Sequence, residues 1–266
     1  MNALDNYLIF GLPKVDGWLE PYSAEFIALL SGIQLDAGFD GSIGEIGVHH
    51  GKLLILMLLA SGRRDQSFAI DVFDKQHLNV DKSGHGDKVA LLRNIARWAP
   101  GFPPVAIIER SSFDVRPEDI LAVGGEPRMM SIDGGHTEEC VLNDLRLCER
   151  VLSSKGIAIL DDCFNQSWPG VVTGLSQYLS GPDARLKPFA ISPNKVYLTL
   201  PENKELYWEK LRSFGKFRPE TRRRMFGEDI EIYGIARSGG AVSRIKDLLK
   251  QSPIGPYLMA AKAQLS

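Results

Sequence analysis

Two short acidic segments hold most of the chemistry in this sequence: Met130-Ser131-Ile132-Asp133-Gly134-Gly135-His136 and Ala158-Ile159-Leu160-Asp161-Asp162-Cys163-Phe164. Each is an apolar run of strand length that leads into carboxylates. Adjacent strands lie about 4.8 Å apart, so if these two are neighbours, Asp133, Asp161 and Asp162 converge on one small volume. Three carboxylates so close raise one another's pKa unless a cation sits among them. A hard divalent ion with oxygen ligands, such as Mg2+, meets that need and keeps positions for water or substrate. The plainer reading puts one acid on a nucleotide and another on a helix cap, with no ion. His136 follows two glycines that let its imidazole fold back toward the strand end. An unperturbed pKa near ~6.5 suits it to take a hydroxyl proton. A loop histidine is more often a polar surface residue, but the adjoining acidic strand ends favour the catalytic role. Cys163 has no basic neighbour in sequence and is not a candidate nucleophile.

A second constellation lies upstream, in Glu45-Ile46-Gly47-Val48-His49-His50-Gly51. Gly47 and Gly51 let the backbone turn sharply and approach a ligand. A dinucleotide fingerprint would read G-x-G-x-x-G, but His49 occupies the middle glycine position. The acid at Glu45 suits a cationic ligand better than a pyrophosphate. The glycine spacing alone does not outweigh a ligand-free strand–helix turn. Phe68-Ala69-Ile70-Asp71 adds a carboxylate at a strand terminus, where it can accept both hydrogen bonds of a ribose diol. Ser111 and Ser112 follow a further strand and can reach an adenine edge. His49 is expected to make a local backbone or nucleotide contact.

The elements that must position these residues alternate from about residue 41. Strands are expected at Ser42–Gly47, Ser67–Asp71, Val105–Glu109, Arg128–Asp133 and Gly156–Leu160. Helices are expected at Lys52–Ser61, Asp87–Trp98, Pro117–Val123, Glu138–Leu152 and Val171–Leu179. Short apolar strands separated by helices imply parallel pairing with right-handed crossovers, hence a doubly wound α/β sheet. Phe189–Ser192 and Val196–Leu200 flank a Pro193-Asn194 turn and predict an antiparallel pair at the sheet edge. Asp229–Ile235 predicts one more strand or a capping ribbon. Ser23–Leu35 predicts a helix laid on the core, within an N-terminal segment 1–39 that is available to a dimer interface. Residues 40–200 form the core, and 201–266 an extension expected to cap the acceptor site. Within that extension, Lys204–Arg224 carries eight Lys/Arg against three Glu, which reads first as a solvated helical face plus loop.

Composition sets the outer limits. The chain has 266 residues, 44% hydrophobic and 24% charged, an ordinary globular balance able to fill a core. A net charge of -2 creates no field for nucleic acid or an acidic membrane. The longest apolar run, Leu53–Ala60, is far too short for a membrane span. The opening Met1-Asn2-Ala3-Leu4-Asp5 lacks the pattern of a secretory signal. Three cysteines without zinc-type spacing fit reduced thiols in a cytoplasm.

Together, the acid-x-G-x-x-x-G loop from Glu45 to Gly51 and Asp71 resemble the S-adenosylmethionine (SAM) site of class I methyltransferases. The string Ile132–Thr137, the helix with Asp144 and Leu145, and Leu160–Phe164 resemble the macrocin-type sugar O-methyltransferases within that class. Ser167–Val171 and Asn194–Leu198 agree with that group. The resemblance spans roughly residues 40–200. It implies a seven-stranded fold, SAM as methyl donor and, in several members, magnesium. It implies cofactor contacts at Glu45, Gly47, His49, Gly51, Asp71, Ser111, Ser112 and Asp133, metal ligands at Asp133, Asp161 and Asp162, and a general base at His136. The implied acceptor is a small-molecule hydroxyl, with a sugar first. Members often pair an acid with a different oxygen ligand where this chain has Asp161-Asp162. A nicotinamide oxidoreductase on a similar sheet and a non-catalytic binding module remain the alternatives.

Overall fold

The computed structural model describes residues 1–62, 66–215 and 217–234, the last of these ending one compact unit, Met1–Gly234. After short helical turns from Ala3 to Lys14, helix α1 (Pro21–Asp36) precedes the alternating core. The strands are β1 (Ser42–Ile46), β2 (Ser67–Ile70), β3 (Val105–Ile108), β4 (Pro127–Ile132), β5 (Ile157–Leu160), β6 (Lys187–Ser192), β7 (Lys195–Thr199), β8 (Thr221–Met225) and β9 (Glu228–Ile232). The remaining helices are α2 (Lys52–Ser61), α3 (Lys88–Trp98), α4 (Pro117–Gly124), α5 (Glu138–Val151), α6 (Pro169–Ser180) and α7 (Lys204–Ser213).

One sheet runs in the order β3-β2-β1-β4-β5-β7-β6-β9-β8. The first five strands are mutually parallel, and β7 lies antiparallel between β5 and β6. The sheet has nine strands where the family resemblance implied seven. The excess lies in the C-terminal ribbon: where one more strand or a capping ribbon is expected at Asp229–Ile235, the structure has an antiparallel pair, β8 and β9. The basic segment accordingly splits into helix α7 and strand β8, so Arg222, Arg223 and Arg224 lie in a strand and not on a helical face. The expected end of that strand at Ile235, and the part of the C-terminal extension from 235 onward, fall outside the described residues.

Side chains alternate across β5: Ile157 and Ile159 join one apolar core with α1, α2 and α7, while Ala158 and Leu160 join the other with α4, α5 and α6. Both faces are therefore covered, as a parallel sheet requires. Helix α2 is apolar nearly all round because it is buried from Leu53 to Ser61. Among the described residues, no helix is long and apolar enough to cross a membrane.

Candidate active site

The register of the parallel strands lines up the residue that follows each one. Ile46 pairs with Ile70 and Ile132, and Ile132 pairs with Leu160. The ladders run one step further: Gly47 N–H donates to Ile70 O at 2.8 Å, Asp133 N–H to Ile46 O at 2.9 Å and Asp161 N–H to Ile132 O at 3.0 Å. Asp71, Gly47, Asp133 and Asp161 therefore stand in a row at the carboxyl ends of β2, β1, β4 and β5. Gly47 has φ +79°, and a Cβ there would sit 1.8 Å from the carbonyl oxygen of Asp133, so only glycine allows this approach.

Above that row lies a cleft of about 920 Å³. Glu45, Gly47, His49, Asp71, Ser111, Ser112, Asp133, His136, Asp161 and Asp162 all line it. Gly51, expected to touch the cofactor, is not among the residues that line the cleft. It caps α2 at φ +86° and packs on Leu91, which makes it a helix-start residue.

The nucleotide side is built on backbone contacts. Asp71 accepts from His49 N–H and Phe73 N–H, each at 2.8 Å, while burial raises its pKa. The His49 ring stacks on His50 at 3.9 Å, and burial followed by the His50 charge lowers its pKa. Ser111 caps a short turn through Phe113 N–H, and Ser112 faces Asp144. Glu45 is 2% exposed; burial pushes its pKa up, and its Oε2 has no hydrogen-bond partner among the described residues.

The acidic side separates into two clusters. Lys195 Nζ, only 2% exposed, donates to Asp161 Oδ2, and Asp161 Oδ1 accepts from Asp162 N–H at 2.8 Å. Burial opposes the Lys195 charge, yet Asp161 and Asp133 outweigh it and raise its pKa. Asp161, expected among the metal ligands, thus has both oxygens engaged by the protein. Asp133, His136 and Asp162 form the other cluster, with one ligand atom from each lying within 4.8 Å of the rest. His136 Nε2 is 3.1 Å from Asp162 Oδ2 and 3.9 Å from Asp133 Oδ1, and Nδ1 is 2.8 Å from Asp81 Oδ2. Trp168 stacks on the ring at 4.4 Å. Although burial opposes the charge, the bonds to Asp162 and Asp81 raise the His136 pKa to about 10. The same bond, with Asn165 and Asn194, overcomes burial and brings Asp162 down to about 2. Burial and then Asp161 push the Asp133 carboxyl well above its usual range.

A family model described as a methyltransferase domain matches residues 45–163, a span that contains Glu45, Asp71, Asp133, His136 and both residues of the Asp161-Asp162 pair. The matched span, somewhat under half of the chain, is similar to a methyltransferase domain. Solved structures agree on the fold. The O-methyltransferase NovP is 18% identical, over 68% of this chain and 80% of its own, with TM-score 0.56. CalS11, a calicheamicin methyltransferase, is 18% identical over 74% and 89% of the two chains, at 0.50. SAH-bound PaMTH1 of Podospora anserina is 12% identical over 75% and 88%, at 0.53. No curated protein matches the chain.

Three residues escape sequence reasoning as site residues: Lys195 and Trp168, which line the cleft, and Asp81, which holds His136. Lys195 arrives because β7 runs against β5: Leu160 pairs with Val196, which sets Lys195 across from Asp161. The predicted antiparallel pair held that signal. Asp81 sits in the polar loop after β2 and accepts from both the backbone N–H and Nδ1 of His136, a contact no local pattern announces. Trp168 precedes α6 and owes its place to the α5–α6 packing.

Proposed function

We propose that this protein is a methyltransferase that holds SAM over Gly47 and moves its methyl group to a hydroxyl oxygen of a small molecule, with a sugar or glycosylated natural product as the first acceptor class. The observation that carries the proposal is the row of acids Glu45, Asp71, Asp133 and Asp162 around one cleft at the carboxyl ends of parallel strands. Asp71 would accept from the ribose diol, Ser111 and Ser112 would meet the adenine, and Glu45 and Asp133 would face the cationic end of the donor. The sulfonium carbon–sulfur bond breaks as the new carbon–oxygen bond forms, and the electron pair stays on sulfur as the thioether of S-adenosylhomocysteine (SAH).

The acceptor proton falls to His136 Nε2 under a definite condition. While Asp162 and Asp81 both hold the ring, it stays protonated near neutral pH and cannot serve as a base. Asp81 fixes the tautomer by taking Nδ1–H, which directs Nε2 at the acidic pair. The close approach of Asp133 and Asp162 ligand atoms fits a divalent ion, whereas Asp161, bound to Lys195, does not join them. Such an ion, when bound, would polarise the acceptor hydroxyl. Asp133 and Asp162 would hold that ion, and His136, steadied by Asp81 at Nδ1, would take the hydroxyl proton at Nε2 once Asp162 no longer holds that nitrogen.

Calorimetry with SAH tests the reading. The wild type should bind at micromolar strength and ignore NAD, and Asp71→Ala should weaken SAH about tenfold or more by removing a charged hydrogen-bond acceptor. Binding of NAD in place of SAH, or equal SAH affinity in Asp71→Ala, refutes it.

A further inference from the structure

Three contacts hold the His136 ring. Asp81 Oδ2 lies 2.8 Å from Nδ1, Asp162 Oδ2 lies 3.1 Å from Nε2, and the Trp168 indole stacks on the ring at 4.4 Å with 15° between the planes. The two carboxylates meet the edge of the imidazole, whereas the indole covers a face. Freeing Nε2 from Asp162 leaves one hydrogen bond at the edge. The torsion that turns a histidine ring about Cβ–Cγ is intrinsically broad, so a single bond at Nδ1 leaves the ring free to tilt. An indole lying flat against it prevents that, because the turn drives a ring edge into the stacked face.

The sequence builds this platform within a few residues. Ser167-Trp168-Pro169-Gly170-Val171 opens α6, with Pro169 at its first helical position. A Cβ on Gly170 would lie 2.3 Å from His136 O and 3.1 Å from Thr137 Cα, so glycine is what lets the helix start rest on the histidine's own backbone. Trp168 N–H donates to Asn165 O at 3.0 Å, and Asn165 Nδ2 donates to Asp162 Oδ1 at 3.0 Å. One short segment thus carries the indole and touches both His136 and Asp162. Trp168 itself is half-buried and lines the cleft.

We propose that Trp168 is a positioning residue that fixes the plane of the His136 ring and keeps Nε2 aimed at the acceptor hydroxyl after Asp162 has released it. The inference rests on the reading of His136 as the group that takes the hydroxyl proton. Asp81 sets which nitrogen faces the acceptor, and Trp168 sets the direction in which it points.

The test follows the His136 Nδ1–H proton by NMR, assigned by its absence from His136→Gln, and measures its exchange with water. Asp162→Gly removes the carboxylate at Nε2 and suits the backbone there, which has φ +56°. In that background the Nδ1–H signal should persist, held to Asp81 under the indole. Adding Trp168→Leu should speed its exchange about tenfold or more, because the ring then opens to solvent more often. Adding Trp168→Phe, which keeps a flat face, should hold exchange within roughly threefold. Gly170→Ala pushes the helix start off His136 O and should loosen the ring as the leucine does, which keeps the test open if Trp168→Leu fails to fold. Equal exchange with and without the indole, a phenylalanine variant as loose as the leucine one, or a signal already lost in Asp162→Gly alone overturns the inference. The single variant Trp168→Leu should bind SAH within about twofold of wild type. Wild-type protein that binds no SAH overturns the reading of the cleft, and the exchange rates still report on the ring.

Discussion

Asp144 offers a sharp test of how the floor of the cleft is supported. It lies on α5, 1% exposed, beneath the Gly134 turn, where a Cβ on Gly134 would come within 2.8 Å of its Oδ2. Asn143 donates to Oδ1 at 3.0 Å, while Oδ2 is buried with no hydrogen-bond partner among the described residues. Burial raises the carboxyl from its usual 3.8 to about 6. The folded state therefore binds this proton more tightly than the unfolded chain does, so stability falls as pH rises from about 4 to about 6 and stays lowered above that. A shift of roughly two units corresponds to about 3 kcal/mol at neutral pH. Asp144→Asn removes the charge at nearly constant shape, so it should be more stable than wild type at pH 7.5 by a sizeable part of that figure. The new amide N–H2 replaces the orphaned oxygen and offsets some of the gain. Urea unfolding at steps from pH 4 to 8 reads the effect, and the variant's advantage should vanish toward pH 4. A stability difference that is flat across this range, or a variant less stable at pH 8, refutes the reasoning.

Two further outcomes follow from the same geometry. Gly47→Ala places a Cβ 1.8 Å from Asp133 O at φ +79°, so it should cost at least about 1–2 kcal/mol in urea unfolding and lower SAH affinity by displacing the β4 end. Lys195→Met strands the Asp161 charge and should cost roughly 3–5 kcal/mol, most of it recovered in the double variant with Asp161→Asn; a double variant as unstable as the single one would contradict the pairing.

The parallel half of the sheet was legible because each strand is a short apolar run that ends in a residue type strands avoid: Gly47, Asp71, Asp133 and Asp161. The unbroken apolar run and the glycine or acid that closes it report the same boundary. Helix α2 ran as expected, from Lys52 to Ser61, because an unbroken apolar stretch closed by glycines leaves little choice. What was not legible depends on which strands pair and on loop shape. The adjacent acids Asp161 and Asp162 look equivalent in sequence. Their difference arises because a strand from 34 residues downstream delivers Lys195 to one, while the chain turns to φ +56° at the other and aims it at His136. Asp81 became a site residue through the fold of a loop with no periodic pattern to read. Of the C-terminal ribbon, only the second strand was placed from sequence, because Arg222-Arg223-Arg224 masks β8 as a charged helix or loop.

The reversed direction of β7 has a consequence for how this cleft can change. In a parallel sheet, every loop at the ligand end follows a strand. Here one hairpin tip, Pro193–Lys195, enters the same space from the opposite sense. Its positive charge is supplied from outside the glycine loop and the β4 and β5 termini. Substitutions at that tip can retune the polarity beneath the acceptor while the donor's own cradle keeps its sequence, so the two halves of the reaction can diverge independently.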